Sequence, residues 1–124
     1  MKELSIKVMG EREHEISELL QSLELSKIVS RTVACLANTD EMTSRQIEAA
    51  AGIRQPEVSA AMRVLRTKEW VVEREEKKKL GKGRPVKVYR LDATLREIVE
   101  ALEEERISYN NKMVDDLVRL RELA

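Results

Sequence analysis

Basic side chains between residues 54 and 90 carry the chemistry for which this sequence is best equipped, which is the binding of anions. Between Lys77 and Leu91 the chain has no acid, and a turn-forming stretch, 81–85, lies in the middle of this run. Uncompensated cations repel one another, so the run costs free energy unless solvent or an anionic partner offsets it. Phosphates of a nucleic acid are suitable partners. The seven cations are Lys77, Lys78, Lys79, Lys82, Arg84, Lys87 and Arg90.

The charge of the whole chain hides this basic excess. The 124 residues contain 23 basic and 23 acidic side chains, for a net charge of zero. Residues 1–40 carry five basic and seven acidic residues, residues 41–92 thirteen and eight, and residues 93–124 five and eight. The middle segment therefore has a net charge of +5 between flanks of −2 and −3. This division favours a middle segment that binds a polyanion.

A second polar set precedes the basic run, on a segment with helical periodicity. Once its apolar side is assigned to a core, the other side of this segment remains free and carries Arg, Gln and Ser. Arg and Gln can make bidentate contacts to guanine and adenine, and Ser suits phosphate. Ala60 and Ala61 are poor groups for such contacts, and Glu57 places a carboxylate near expected phosphates or cytosine amino groups. The polar residues are Arg54, Gln55, Ser59, Arg63 and Arg66.

Residue types for catalysis or metal binding are scarce. His14 is the only histidine, expected at the surface, and Cys35 is the only cysteine, expected in a buried helix position, with redox sensing as an alternative. They cannot form a structural zinc site, and no glycine-rich loop follows a strand as nucleotide binding requires. We therefore predict no enzyme, metal or cofactor. A small-molecule effector stays open.

Four helices are predicted before the basic run. Residues 1–10 form a short extended arm or a weak helix. Residues 11–23 form a helix with Ile16, Leu19, Leu20 and Leu23 at helical spacing. A second helix begins near Ser26 and ends before residues 38–40. The third begins after Thr43, whose capping box is completed by Gln46, and ends at Gly52; the fourth has Pro56 in its first turn and ends near Thr67.

Beyond residue 69 the pattern becomes extended and then helical again. Residues 70–72 and 86–91 favour two strands, joined by a long hairpin loop over residues 76–85. Asp92 or Thr94 caps a helical segment that continues almost to Ala124, either as one helix or as two. Its apolar residues, near the spacing of a coiled coil, are Leu95, Ile98, Leu102, Tyr109, Met113, Leu117 and Leu120.

These motifs resemble a known class. The stretch Ala51-Gly52-Ile53-Arg54-Gln55-Pro56-Glu57-Val58-Ser59, continuing to Met62-Arg63-Val64-Leu65, resembles the helix-turn-helix of winged-helix regulators of the ArsR, MarR and TrmB types. The stretch Gly83-Arg84-Pro85-Val86-Lys87-Val88-Tyr89-Arg90-Leu91 is similar to the wing and third strand of this group, particularly of archaeal members. The matches lie within residues 25–92. The cysteine-rich metal-sensing motif of some ArsR-type proteins is absent, and the length leaves no room for the effector domain of larger TrmB-type regulators.

The resemblance implies a mainly α fold with a small β-hairpin wing. We expect an N-terminal arm and helix (1–24), a winged helix-turn-helix domain (25–92) and a long C-terminal dimerisation helix (93–124). We expect a sequence-specific transcriptional regulator that places its second motif helix in the major groove of double-stranded DNA. We expect a homodimer because residues 93–123 as one helix would be about 45 Å long and would extend beyond their own domain, leaving an apolar stripe for a second copy to cover. Arg54, Gln55, Ser59 and Arg63 would read bases or phosphates, and the wing cations would hold flanking backbone or enter the minor groove. These wing residues are Lys78, Lys79, Lys82 and Arg84.

Two further expectations concern partners and compartment. A winged helix can instead serve as a protein-interaction module within a transcription or replication assembly, with the acidic C-terminal helix as its binding surface. The start of the chain has no signal-peptide pattern, and no apolar run approaches the roughly 20 residues that a membrane span requires. With a single cysteine, this favours a cytoplasmic protein without a membrane partner.

Overall fold

The computed structural model describes residues 9–77 and 85–124. In that part the chain forms five helices and three strands. One compact unit ends at Ala93 and a second begins at Thr94. In chain order the elements are α1 (Glu11–Ser22), α2 (Lys27–Leu36), β1 (Met42–Thr43), α3 (Ser44–Ala51), α4 (Gln55–Thr67), β2 (Val71–Glu76), β3 (Val86–Leu91) and α5 (Leu95–Leu123).

Helix α1 buries a narrower and more polar face than its sequence indicates. Leu20 is buried, but Leu19 and Leu23 are 57% and 45% exposed, although their spacing suggested a shared apolar side. Glu13 and Ser17 are buried with Leu20. The Glu13 carboxylate accepts a hydrogen bond from the Gly10 backbone N–H at 2.9 Å, which satisfies a donor at the start of the helix. Because α1 packs mainly against α2, only one side of it is covered.

The predicted helix-turn-helix is present in α3 and α4. Thr43 and Gln46 form a reciprocal capping box: each backbone N–H donates to the other side chain, at 2.9 and 3.2 Å. Gly52 ends α3 in the left-handed conformation with φ of 68°. The Arg31 guanidinium of α2 donates to the Ala51 carbonyl at 2.5 Å. The turn is therefore fixed locally by glycine and from outside by a hydrogen bond.

The core lies where α2, α3 and α4 meet the sheet. Helix α4 buries four apolar residues on its inner side, and full burial of the larger aliphatic side chains contributes roughly 1.5–3 kcal/mol each. Because α4 is held by one continuous apolar side, its opposite side is left facing outward. The buried α4 residues are Val58, Ala61, Met62 and Leu65.

The sheet has one strand more than the predicted hairpin. Its order is β1-β3-β2, with antiparallel pairing throughout. Met42 lies opposite Tyr89, and Val71 opposite Leu91. Strand β1 has only two residues, too few to show an alternation of apolar and polar side chains, so it could not be predicted from the sequence. Strand β2 extends to Glu76, four residues beyond the predicted end of this strand at residue 72. Of the predicted hairpin loop, residues 78–84 lie outside the described residues.

Helix α5 is one unbroken helix of 29 residues, which answers the question that its sequence left open. Thr94 is its N-cap: the Glu97 N–H donates to the Thr94 hydroxyl at 3.1 Å, and the Thr94 N–H to the Glu97 carboxylate at 2.8 Å. Every residue from 103 onward is exposed. None of the helices in residues 9–77 and 85–124 combines the length and the apolar character needed to span a bilayer.

Candidate nucleic-acid interface

The outward side of α4 presents a continuous polar stripe. Gln55, Ser59, Arg63 and Arg66 follow one another at intervals of four, four and three residues, so they lie on one side of the helix, and all four are exposed. The Gln55 amide donates to the Ser59 hydroxyl at 3.3 Å. The stripe that the sequence predicted is therefore present, with amide, hydroxyl and guanidinium groups on a helix whose other side is fixed in the core.

The start of α4 explains a residue that looked out of place in the sequence. Glu57 accepts a hydrogen bond from the Arg54 backbone N–H at 2.9 Å. This is the carboxylate half of a capping box, and it satisfies an N–H that a helix start otherwise leaves open. A negative group is also favourable at this end of the helix dipole. Glu57 thus has a structural role that does not depend on a ligand.

A groove separates the beginning of α4 from β3 and the start of α3. Its lining combines polar and apolar groups and contains the cations Arg45 and Lys87 together with hydroxyl groups of both helices. Gln55 and Ser59 of the α4 stripe belong to the same groove. The lining residues are Thr43, Ser44, Arg45, Gln55, Ser59, Pro85, Val86, Lys87 and Tyr89.

Sequence reasoning missed Arg45 and did not select Lys87. The capping box at Thr43 marked a helix start, a place suited to anions, and Arg45 directly follows it. What the sequence could not supply was the neighbour, because β1 is too short to be recognised and it is β1 that pairs with β3. Lys87 was part of the basic run but could not be assigned to the groove without that pairing.

Acids from β2 and from neighbouring loops partner several of the site's cations. Glu73 lies 2.5 Å from Arg66 and 3.9 Å from Lys87. The sequence predicted that no acid neutralises the cations of residues 77–91, but Lys87 and Arg90 both have carboxylate partners in the fold. The remaining pairs are Arg74 with Glu41 at 2.5 Å, Arg74 with Glu76 at 3.5 Å, and Arg90 with Asp92 at 3.4 Å.

The predicted site residues fall into two groups. Arg54, Gln55, Ser59 and Arg63 come together at the start and along the outward side of α4. The wing residues Lys78, Lys79, Lys82 and Arg84 lie outside the described residues.

The predicted dimerisation residues all lie on α5 but differ in exposure. Ile98 and Leu102 are buried, whereas the four that follow them are exposed. Those four are Tyr109, Met113, Leu117 and Leu120.

Neither His14 nor Cys35 forms part of this interface. His14 is exposed on α1, and Cys35 is only 4% exposed on α2. Burial raises the pKa of the Cys35 thiol to about 11, an effect that Glu13 reinforces and the positive charge of Arg31 opposes. In the ranges 9–77 and 85–124, no group of three or more His, Cys, Asp or Glu side chains is placed to hold a metal ion.

Helix-turn-helix followed by a strand pair that returns to β1 defines a winged-helix domain, and solved structures support this assignment. An archaeal chromatin protein, TrmBL2, whose structure is described as showing a novel mode of DNA binding, superposes with a TM-score of 0.70 at 16% identity. The match covers 89% of this chain and 39% of TrmBL2, so the chain spans well under half of that protein.

Two further structures are similar. A possible transcriptional regulator from Methanosarcina mazei Go1 has a TM-score of 0.63 at 14% identity, covering 80% of this chain and 82% of its own. A MarR-family transcriptional regulator from Silicibacter pomeroyi has a TM-score of 0.50 at 23% identity, covering 85% and 68%. No family model and no curated protein sequence matches the chain. At these identities the likeness establishes the winged-helix fold.

Proposed function

We propose that this chain is a DNA-binding transcription regulator that acts as a homodimer. The observation that carries the proposal is the polar stripe of α4, which lies beside a groove containing Arg45 and Lys87, in a winged-helix domain. Transcriptional regulators and a DNA-binding chromatin protein share this fold, which agrees with the proposal.

The residues divide between two kinds of contact. Arg63 and Gln55 lie on the exposed stripe of α4 and carry groups that read guanine and adenine edges in the major groove. Arg54, Ser59 and Arg45 suit phosphates on either side of the helix. The wing cations hold the flanking backbone, with Arg84 as the residue suited to a narrow minor groove. Lys78, Lys79 and Lys82 complete the wing set.

Helix α5 supplies the proposed dimer contact. At 1.5 Å per residue it is about 44 Å long, and its exposed part carries apolar side chains at helical spacing. Such a stripe is stabilised when a second copy covers it, and a two-fold dimer would offer two α4 helices to one pseudo-palindromic site. The exposed apolar residues proposed for this contact are Tyr109, Met113, Leu117 and Leu120.

Binding of fluorescent duplex DNA across a salt series tests the proposal. We expect affinity to fall steeply with salt, by nearly one power of ten per decade for each phosphate contacted. Arg63→Ala and Arg45→Ala should each lower affinity about tenfold or more, as should the wing double variant K82A/R84A. Arg12→Ala is the matched control, because Arg12 is an exposed arginine on α1, which packs on α2 away from the interface.

Two results would contradict this proposal: no salt-dependent binding of any duplex, or equal losses in the Arg63→Ala, Arg45→Ala and Arg12→Ala variants. Selection from a randomised duplex pool then separates base reading from phosphate binding. Arg63→Ala should relax the selected sequence, whereas Arg45→Ala should weaken all sequences alike.

Three α4 residues that suit DNA poorly, Glu57, Ala60 and Ala61, favoured the alternative, a protein-interaction module, and two of these have an explanation in the fold. Glu57 caps the helix and Ala61 is fully buried in the core. Neither residue therefore counts against a DNA-facing α4. The acidic residues Glu103, Glu104 and Glu105 are exposed on α5 and remain the surface on which a protein partner would bind.

A further inference from the structure

Glu73 contacts two cations that belong to different parts of the interface. One carboxylate oxygen lies 2.5 Å from the Arg66 guanidinium, at the end of the α4 stripe. The other lies 3.9 Å from the Lys87 ammonium, in the groove. The Glu73 side chain is 29% exposed, against 45% for Arg66 and 50% for Lys87. The carboxylate is thus the least exposed member of a three-residue cluster that joins α4, β2 and β3.

We propose that Glu73 competes with DNA phosphate for Arg66 and Lys87 and thereby limits how tightly the interface binds non-target DNA. The inference rests on the proposed DNA-binding function. Carboxylate and phosphate oxygens use the same kinds of donor on arginine and lysine, so a phosphate gains the full charge of both cations only by displacing Glu73. Exposed ion pairs are weak, so the displacement is possible but lowers affinity.

The penalty matters most for non-target DNA. Such DNA binds almost entirely through phosphate contacts, so its affinity depends most on the two cations that Glu73 contacts. A target site also gains base contacts from Arg63 and Gln55, and neither of these side chains has an ion pair to Glu73. Removing the Glu73 carboxylate should therefore strengthen binding to random DNA without adding to the selectivity for a target site.

The strand that carries Glu73 offers a close control. Glu75 lies two residues along β2, on the same side of the sheet, and is exposed like Glu73 at the residue level. In the described residues no ion pair is found for Glu75, whereas Glu73 has two. Glu73→Gln and Glu75→Gln remove the same charge from the same strand. A general change in electrostatic potential would affect both variants alike.

The experiment measures affinity for a random duplex across a salt series in wild type and the two variants, with thermal melting to verify folding. We expect Glu73→Gln to bind about three- to tenfold more tightly at low salt. The slope of the logarithm of the binding constant against the logarithm of the salt concentration should become steeper by about one to two units, because one or two cations become free to contact phosphate. Glu75→Gln should change affinity less than twofold and leave the slope as in wild type.

A second variant keeps the test independent of Glu73→Gln folding. Arg66→Ala should lower affinity much less than Arg63→Ala in the wild-type background, because Glu73 already holds Arg66. In the Glu73→Gln background, Arg66→Ala should reverse about one unit of the added slope. Equal behaviour of Glu73→Gln and Glu75→Gln, or an Arg66→Ala loss as large as that of Arg63→Ala, overturns the inference and leaves the proposed function intact. Failure of the wild type to bind any duplex overturns both.

Discussion

The residue type at position 52 is determined by the backbone conformation as well as by the packing around it. Gly52 adopts a φ of 68°, and a Cβ built there would lie 3.3 Å from an Arg31 guanidinium nitrogen. That guanidinium is also the donor to the Ala51 carbonyl. The same glycine thus permits both the left-handed turn and the close approach of α2. The relative position of α3 and α4, and with it the direction of the polar stripe of α4, depends on this glycine.

Cys35 gives the domain a defined stability change at alkaline pH. Burial raises the pKa of its thiol from an ordinary value of 9.0 to about 11, so the folded state retains the proton longer than the unfolded state. The resulting stabilisation is complete below pH 9 and is lost as the pH rises to about 11. Relative to Cys35→Ala, the wild type should therefore lose about 2 kcal/mol of unfolding free energy over this window.

Urea unfolding of wild type and Cys35→Ala at pH 8 and near pH 10.5, with reductant present, measures the difference. The alanine variant is the control for every other group that titrates in this range. A stability gap that stays constant with pH would show that the thiol is not held protonated by burial. Below pH 8 the two proteins should show parallel pH profiles.

At the scale of the elements, the beginnings and ends of α3 and α4 could be predicted from the sequence because each is determined by residues only a few positions apart. The capping box at Thr43, the turn at Gly52 and Pro56 in the first turn of α4 all act within a few residues, and all are present as predicted. The apolar side of α4 was equally readable from its period. Strand β1 and the Glu73 cluster were not, because they depend on pairings between segments that are distant in sequence.

Two variants of Glu57, the capping residue of α4, distinguish its contribution to stability from the effect of its charge on DNA binding. Glu57→Ala removes the acceptor of the Arg54 N–H and should destabilise the domain by about 1 kcal/mol, whereas Glu57→Gln keeps an acceptor oxygen and should cost less. Both changes remove a negative charge from the end of α4 that we propose faces DNA. Both should therefore raise affinity for duplex DNA by a similar, modest factor.

Chemical unfolding and duplex binding of the two variants check this. If Glu57 reads a cytosine amino group instead, both variants should lose affinity for the target duplex. If its role is that of a cap alone, the order of stabilities should be wild type, Glu57→Gln, Glu57→Ala. Equal stabilities of all three would mean that the capping hydrogen bond contributes nothing.

At the scale of the whole molecule, the basic excess and the exposed apolar side chains lie in different parts of the chain. The basic excess lies in the segment that forms the helix-turn-helix and the wing, while α5 is acidic overall and exposes apolar side chains along its second half. The first feature suits phosphate and the second suits another protein surface. A homodimer would use both, since each copy contributes one DNA-contacting domain and one covered helix.

Disruption of that helix contact tests the proposed assembly. Leu117 is 60% exposed near the centre of the apolar stripe, and Leu117→Glu should convert the dimer to a monomer at micromolar concentration because it would place a charge in the covered surface. Ser108→Glu is the matched control: nine residues away, it lies on about the opposite side of the same helix. Light scattering coupled to size-exclusion chromatography gives the mass of each variant.

Duplex binding by the same three proteins links assembly to function. Two linked half-sites bind much more tightly than one, so Leu117→Glu should lose at least tenfold in affinity for a pseudo-palindromic site, while Ser108→Glu keeps most of it. For a duplex carrying a single half-site, the two variants should differ little. A wild type that is monomeric, or a Leu117→Glu variant that remains dimeric, would refute α5 as the dimer contact, because the chain would then assemble through another surface or not at all.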